Sequence, residues 1–181
     1  SVNSVIKQVD AIAMSAVNTA ITANAAATTA WATIATATPF NDIQKAKAQI
    51  RKLNLGYNPD IVVMDDDRYA ALTNNAIVAG LLRRENEQNP VYTGEFERIA
   101  GLRIIVTPNL PVTSTVIVAD STQIGGMADE VQTAPGYAKT DLGVEIKSIR
   151  KDEADKWTLQ GRRITVPVVQ EPGAGYRITG A

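Results

Sequence analysis

The chain has 181 residues, 45% of them hydrophobic and 20% charged, enough for one substantial core or two smaller ones sharing a sheet. Its 18 Lys and Arg against 19 Asp and Glu leave a formal net charge of -1, so no general positive field draws it onto nucleic acid. The absence of Cys and His removes thiol nucleophiles, disulfides, the usual zinc ligands and the commonest general base, and no apolar run reaches the ~20 residues that span a bilayer.

Val2, Val5, Ile6, Val9, Ile12, Ala13, Ala16, Val17, Ala20 and Ile21 recur at steps of three and four, predicting a long first helix with one apolar stripe. The chain opens inside this pattern without an initiator Met, which leads us to expect an upstream segment; no signal peptide is recognisable. Residues 25–38 are almost all Ala and Thr around Trp31 and show no period, as expected of a tight crossing or a loose connection. Thr38-Pro39 predicts an N-cap and first helical residue, with Ile43, Ala46, Ile50 and Leu53 on the buried face and Gly56 as the stop.

After Asn58-Pro59-Asp60, the run Ile61-Val62-Val63-Met64 predicts a strand buried on both faces. Asp65 or Asp66 can cap a third helical region carrying Tyr69, Leu72, Ile77 and Leu81, broken near Asn74-Asn75 and followed by polar residues up to Pro90. Strands are predicted at Leu102-Arg103-Ile104-Ile105-Val106 and Val116-Ile117-Val118-Ala119, separated by a loop bounded by Pro108 and Pro111. From Leu142 onward Val144, Ile146 and Ile149 alternate with charges. Trp157, Leu159, Ile164, Val166 and Val168 then continue the strand character past a break at residues 152–156.

Motifs with chemical potential are few. Ser4 and Lys7 have the Ser-x-x-Lys spacing of penicillin-binding proteins and related β-lactamases, but no Lys-Thr-Gly or Ser-Asp-Asn partner follows, so a helix surface is the preferred reading. Asp65-Asp66-Asp67 after a buried strand offers hard oxygens for calcium or magnesium, yet three acids at a helix start are equally explained by capping and the helix dipole. Gly125-Gly126 and Gly173-Ala174-Gly175 lack the strand, Gly-rich loop and helix order that cradles phosphate, and read as turn glycines. Arg150, Lys151, Asp152, Glu153, Asp155, Lys156, Arg162 and Arg163 cluster around Trp157; this is either a solvated face or, since Arg and Trp are favoured anchors, a contact surface.

An ordered series of segments resembles the major capsid proteins of tailed bacteriophages, of the Hong Kong 97 type. It runs from Gly56-Tyr57-Asn58-Pro59-Asp60-Ile61-Val62-Val63-Met64 with Tyr69-Ala70-Ala71-Leu72, through Gly101-Leu102-Arg103-Ile104, Thr107-Pro108-Asn109-Leu110-Pro111, Val118-Ala119-Asp120 and Gly125-Gly126. It ends with Asp155-Lys156-Trp157-Thr158-Leu159-Gln160-Gly161-Arg162-Arg163-Ile164-Thr165-Val166-Pro167, Glu171-Pro172 and Ile178-Thr179-Gly180.

The resemblance implies an α+β fold. Residues 1–38 would be the spine helix and connection of a β-rich peripheral domain, 39–141 an axial α/β domain, 142–170 returning peripheral strands, and 171–181 a final strand running back towards the axial domain. It implies a non-enzymatic protein without cofactor or metal that assembles with itself into pentamers and hexamers of an icosahedral head around double-stranded DNA. Scaffold and portal proteins would be assembly partners, DNA contact would be non-specific, no membrane would be involved, and assembly in the bacterial cytoplasm would precede a place in the virion. Arg150, Lys156, Trp157, Arg162 and Arg163 are the expected inter-subunit contacts. The N-terminal arm and extended loop that precede the spine helix in this family are not in the sequence, and Lys156 stands where some relatives have a crosslinking Asn. An encapsulin-type nanocompartment shell is the nearest alternative.

Overall fold

The structure, a computed structural model, describes residues 2–80, 97–130 and 134–181. Helix α1 (Val2–Ala20) follows the predicted stripe, but most of that stripe is only half-buried and Ile12 is 52% exposed; full burial begins at Asn18 and Ile21, where the helix meets the central sheet. Asp10 ties α1 to a loop below it, accepting from Thr107 Oγ1 at 2.9 Å and Asn109 Nδ2 at 2.5 Å.

The Ala/Thr-rich stretch is more ordered than its composition suggests. It holds a short strand, β1 (Asn24–Ala26), and a turn that buries Trp31 completely. Trp31 Nε1 donates to Asp42 at 3.2 Å, and Thr28 donates to the same carboxylate through Oγ1 at 2.6 Å and its N–H at 3.3 Å. Asp42 belongs to α2 (Pro39–Lys52), so an almost fully buried carboxylate is satisfied by three donors from the preceding turn. Thr38 occupies the N-cap position as expected, but its side chain makes no capping bond; Pro39 at the first helical position supplies the helical φ instead.

Strand β2 (Ile61–Met64) leads into α3 (Asp66–Thr73), capped by Asp65, which accepts from the Arg68 N–H at 2.8 Å. The break at Asn74-Asn75 has a clear cause. Buried Asn75 donates to the Ala37 carbonyl at 2.9 Å and accepts from the N–H groups of Ile77 and Val78, starting α4 (Ala76–Gly80). In α4 Val78 is buried, whereas Ile77 is 56% exposed. Leu81 and the polar stretch to Pro90, expected to end this helical region, lie outside the described residues.

The remaining strands are β3 (Arg98–Ile99), β4 (Leu102–Val106), β5 (Thr115–Ala119), β6 (Gly125–Asp129), β7 (Ala138–Lys139), β8 (Glu145–Lys151), β9 (Lys156–Arg162), β10 (Thr165–Val169) and β11 (Gly175–Thr179). A six-stranded mixed sheet has the order β1-β11-β5-β2-β4-β3; β7, β8 and β9 form a second sheet, and β6 pairs with β10. The alternation of β2 and β5 divides the core. Val62, Met64, Val116 and Val118 face α2 and Trp31, whereas Val63, Ile117 and Ala119 face Ile21, Ile124 and Ala174 below the end of α1.

Two glycine readings change. Gly125 and Gly126 are strand residues, and a Cβ at Gly125 would collide with the backbone of Val168 across the β6–β10 pair. Gly175 starts β11, where a Cβ would lie 2.8 Å from both Ile21 Cγ1 and Ile124 Cδ1. Both glycines are there for close approach rather than for a turn.

Candidate assembly surface

The charged cluster around Trp157 lies on one hairpin. β8 and β9 pair antiparallel over their full length from Glu145↔Arg162 to Lys151↔Lys156. A 3₁₀ turn at Asp152–Ala154 and a left-handed Asp155 (φ 43°) join them. Residues opposite one another share a face, so Trp157 lies with Arg150, Leu159 with Ser148 and Gly161 with Ile146. The Gly161 end of that face is covered by α1, since a Cβ there would sit 3.7 Å from Val5. Towards the tip the cover ends, leaving Trp157 65% and Leu159 75% exposed.

The other face is held together by charges. Arg162 Nε pairs with buried Glu145 at 2.8 Å and its guanidinium stacks 4.3 Å from the centroid of Tyr137, which also lies 5.5 Å from Lys147 Nζ. Arg163 grips Asp129 of β6 through two bonds of 2.8 and 3.2 Å, fastening this sheet to the β6–β10 pair. That guanidinium holds the pKa of the Asp129 carboxyl below its ordinary value. At the tip Arg150 meets Asp152 at 2.6 Å and lies 5.8 Å from the Trp157 ring.

The five residues singled out from sequence therefore divide. Arg150, Arg162 and Arg163 are paired within the chain, the first in an exposed pair and the other two in partly covered ones. Lys156 and Trp157 are both exposed, on opposite faces of the hairpin, and Lys156 has no ion pair among the described residues. Leu159, read from sequence only as a strand residue, joins Trp157 on its face; the two-residue spacing between them was the available signal. A second exposed apolar set, Val166 at 58% and Val168 at 43%, lies on β10 opposite Ala128 and Gly126.

The chemical candidates do not converge. Ser4 and Lys7 are exposed on α1, Asp65 serves as a cap while Asp66 and Asp67 are exposed, and no cluster of three or more acidic side chains able to hold a metal ion occurs among the described residues. No helix among those residues is long and apolar enough to cross a membrane.

A family model described as phage capsid protein matches residues 1–178. Among solved structures, the chain is similar to one from Mycobacterium phage Che8, at 13% identity and a TM-score of 0.63 over 96% of this chain and 57% of that one. It is also similar to the capsid of cyanophage P-SCSP1u, at 14% identity and a TM-score of 0.65 over 98% and 62%. A phage-related protein of Bordetella bronchiseptica RB50 matches at 12% and 0.60 over 87% and 55%. No curated protein matches the sequence. At these identities the structural likeness is one of fold, and the chain spans between 55% and 62% of the length of those three proteins. Because the family match runs through nearly the whole chain and the fold agrees with it independently, the chain belongs to the phage capsid protein family.

Proposed function

We propose that copies of this chain form pentamers and hexamers that close into an icosahedral phage head around double-stranded DNA, assembled in the host cytoplasm with scaffold and portal proteins. In this reading α1 is the spine helix, the six-stranded sheet is the centre of the axial domain, and the β7-β8-β9 sheet belongs to the peripheral domain. β11 is the returning strand that joins the two.

The observation that carries the contact surface is the uncovered Trp157–Leu159 face on a hairpin whose shape is set by its own ion pairs. An exposed aromatic with an aliphatic neighbour on a pre-shaped strand has little ordering cost to meet on binding. Burying ~200 Å² of such surface contributes roughly 5 kcal/mol before binding costs, and modest contacts repeated around rings suffice to close a shell. Arg162 and Arg163 hold the surface in shape, while Trp157 and Leu159 meet the neighbour and Lys156 lies on the opposite, charged face.

The double substitution Trp157→Ser with Leu159→Ser tests this. Because both side chains are exposed, the monomer should melt within roughly 2 °C of wild type, given the small effect of surface changes, while shell yield falls at least tenfold. Unchanged shell yield would remove this hairpin from the contact set. Charge reversal at Arg162 is a poorer test, since it breaks the internal pair with Glu145.

A further inference from the structure

The six-stranded sheet ends at β1, which among the described residues pairs only with β11. The parallel register sets Ala25 against Ile178, and the flanking bonds run from Arg177 N–H to the Ala23 carbonyl at 3.0 Å and from Ala27 N–H to the Thr179 carbonyl at 2.8 Å. Main-chain groups of Ala23, Ala25 and Ala27 thus turn towards β11. Those of Asn24 and Ala26 turn outward from the sheet.

Natural proteins usually blunt such an edge with Lys, Pro or a bulge. Here none is present: β1 is Asn-Ala-Ala, it is exposed, and no charged residue occurs between Asp10 and Asp42. Beside the edge, on the face that carries Ile178, a groove of about 210 Å³ opens between β1 and α2. Its walls include Thr28, Lys45, Gln49 and Tyr176. The groove's acid, Asp42, is already satisfied by Thr28 and Trp31, which leaves the exposed Lys45 ammonium as its charge. An open edge beside a helix-walled groove is the geometry for strand addition, with main-chain bonds for affinity and the groove for one side chain of each alternate pair.

We propose that the β1 edge accepts an extended segment of a second copy of this chain, adding a seventh strand whose groove-facing side chain is polar or acidic to meet Lys45. A second copy is the occupant because, in the shell reading above on which this inference rests, copies of this chain are the neighbours that surround each subunit. It adds a main-chain contact on the central sheet, separate from the β8–β9 hairpin.

Residue-resolved amide exchange on the shell and on the unassembled subunit, with the chain's natural flanking segments included, tests it. Asn24 and Ala26 amides should exchange quickly in the subunit and become at least tenfold slower in the shell, while Ala25 and Ala27 are slow in both. Ala26→Pro, which removes only an outward N–H, should leave subunit melting unchanged and cut shell yield at least tenfold. Shells that form without added protection at Asn24 and Ala26, or from Ala26→Pro at wild-type yield, overturn the edge contact and leave the shell reading intact. Failure of the wild-type protein to assemble with its head partners overturns both.

Discussion

At the scale of single residues, backbone conformation and buried carboxylates set the most specific constraints. The β3–β4 hairpin turns through Ala100 (φ 52°) and Gly101 (φ 79°), the two consecutive positive values of a tight hairpin turn. Gly101 fits at no cost, whereas Ala100 is strained by about 1 kcal/mol and is held by Lys47 Nζ, which donates to its carbonyl at 2.8 Å. Burial and the neighbouring Arg51 lower the pKa of that lysine. Ala100→Gly should therefore raise stability by roughly 0.5 kcal/mol and Ala100→Val should lower it; thermal melts of the two variants moving in the same direction would contradict this.

Asp120 is a second such site. Burial pushes its carboxyl pKa up, but bonds from Thr122 Oγ1 at 2.6 Å and the N–H groups of Asn58 and Thr122 outweigh it and leave the pKa below the ordinary value. A carboxyl depressed in the folded state stabilises the fold above its unfolded pKa, and that contribution is lost as pH falls below about 4. Asp120→Asn should lower stability at neutral pH by about 2 kcal/mol, with a smaller loss relative to wild type at pH 3. Denaturant titrations at both pH values check the sign.

At the scale of elements, what was legible in the sequence follows how local the determining pattern is. α1, α2, β2, β4 and β5 each carry their period or apolar run within their own residues, and their predicted positions agree with the structure. β1 and β6 do not. Asn24-Ala25-Ala26 has no alternation and becomes a strand only because β11, near the other end of the chain, lies alongside; Gly125-Gly126 becomes one by pairing with β10, which at Gly125 approaches closer than a Cβ permits. The hairpin cluster was legible in composition, but whether each charge turns inward or outward depends on the β8–β9 register. That register assigns Arg162 to Glu145 and leaves Trp157 and Leu159 in the open. β11 also shows how elements lock together. Ala174 and Ile178 are buried and Gly175 sits against Ile21 and Ile124, so Gly175→Ala should cost about 1–3 kcal/mol through overpacking. Wild-type melting of that variant would show that the two isoleucines yield more easily than their burial implies.

At the scale of the whole molecule, a central sheet with two well-packed faces contrasts with surfaces left incomplete: the half-covered stripe of α1, the Trp157–Leu159 face, the outer face of β10 and the edge at β1. In a monomer these are liabilities. In a coat subunit they are the places where neighbours complete the structure, which is why family membership and the distribution of exposed apolar surface point the same way. The most direct measurement is electron microscopy of the chain expressed with its natural flanking segments and co-expressed with neighbouring head genes. The account predicts closed shells or capsomer rings; particles that remain monomeric under those conditions would contradict it.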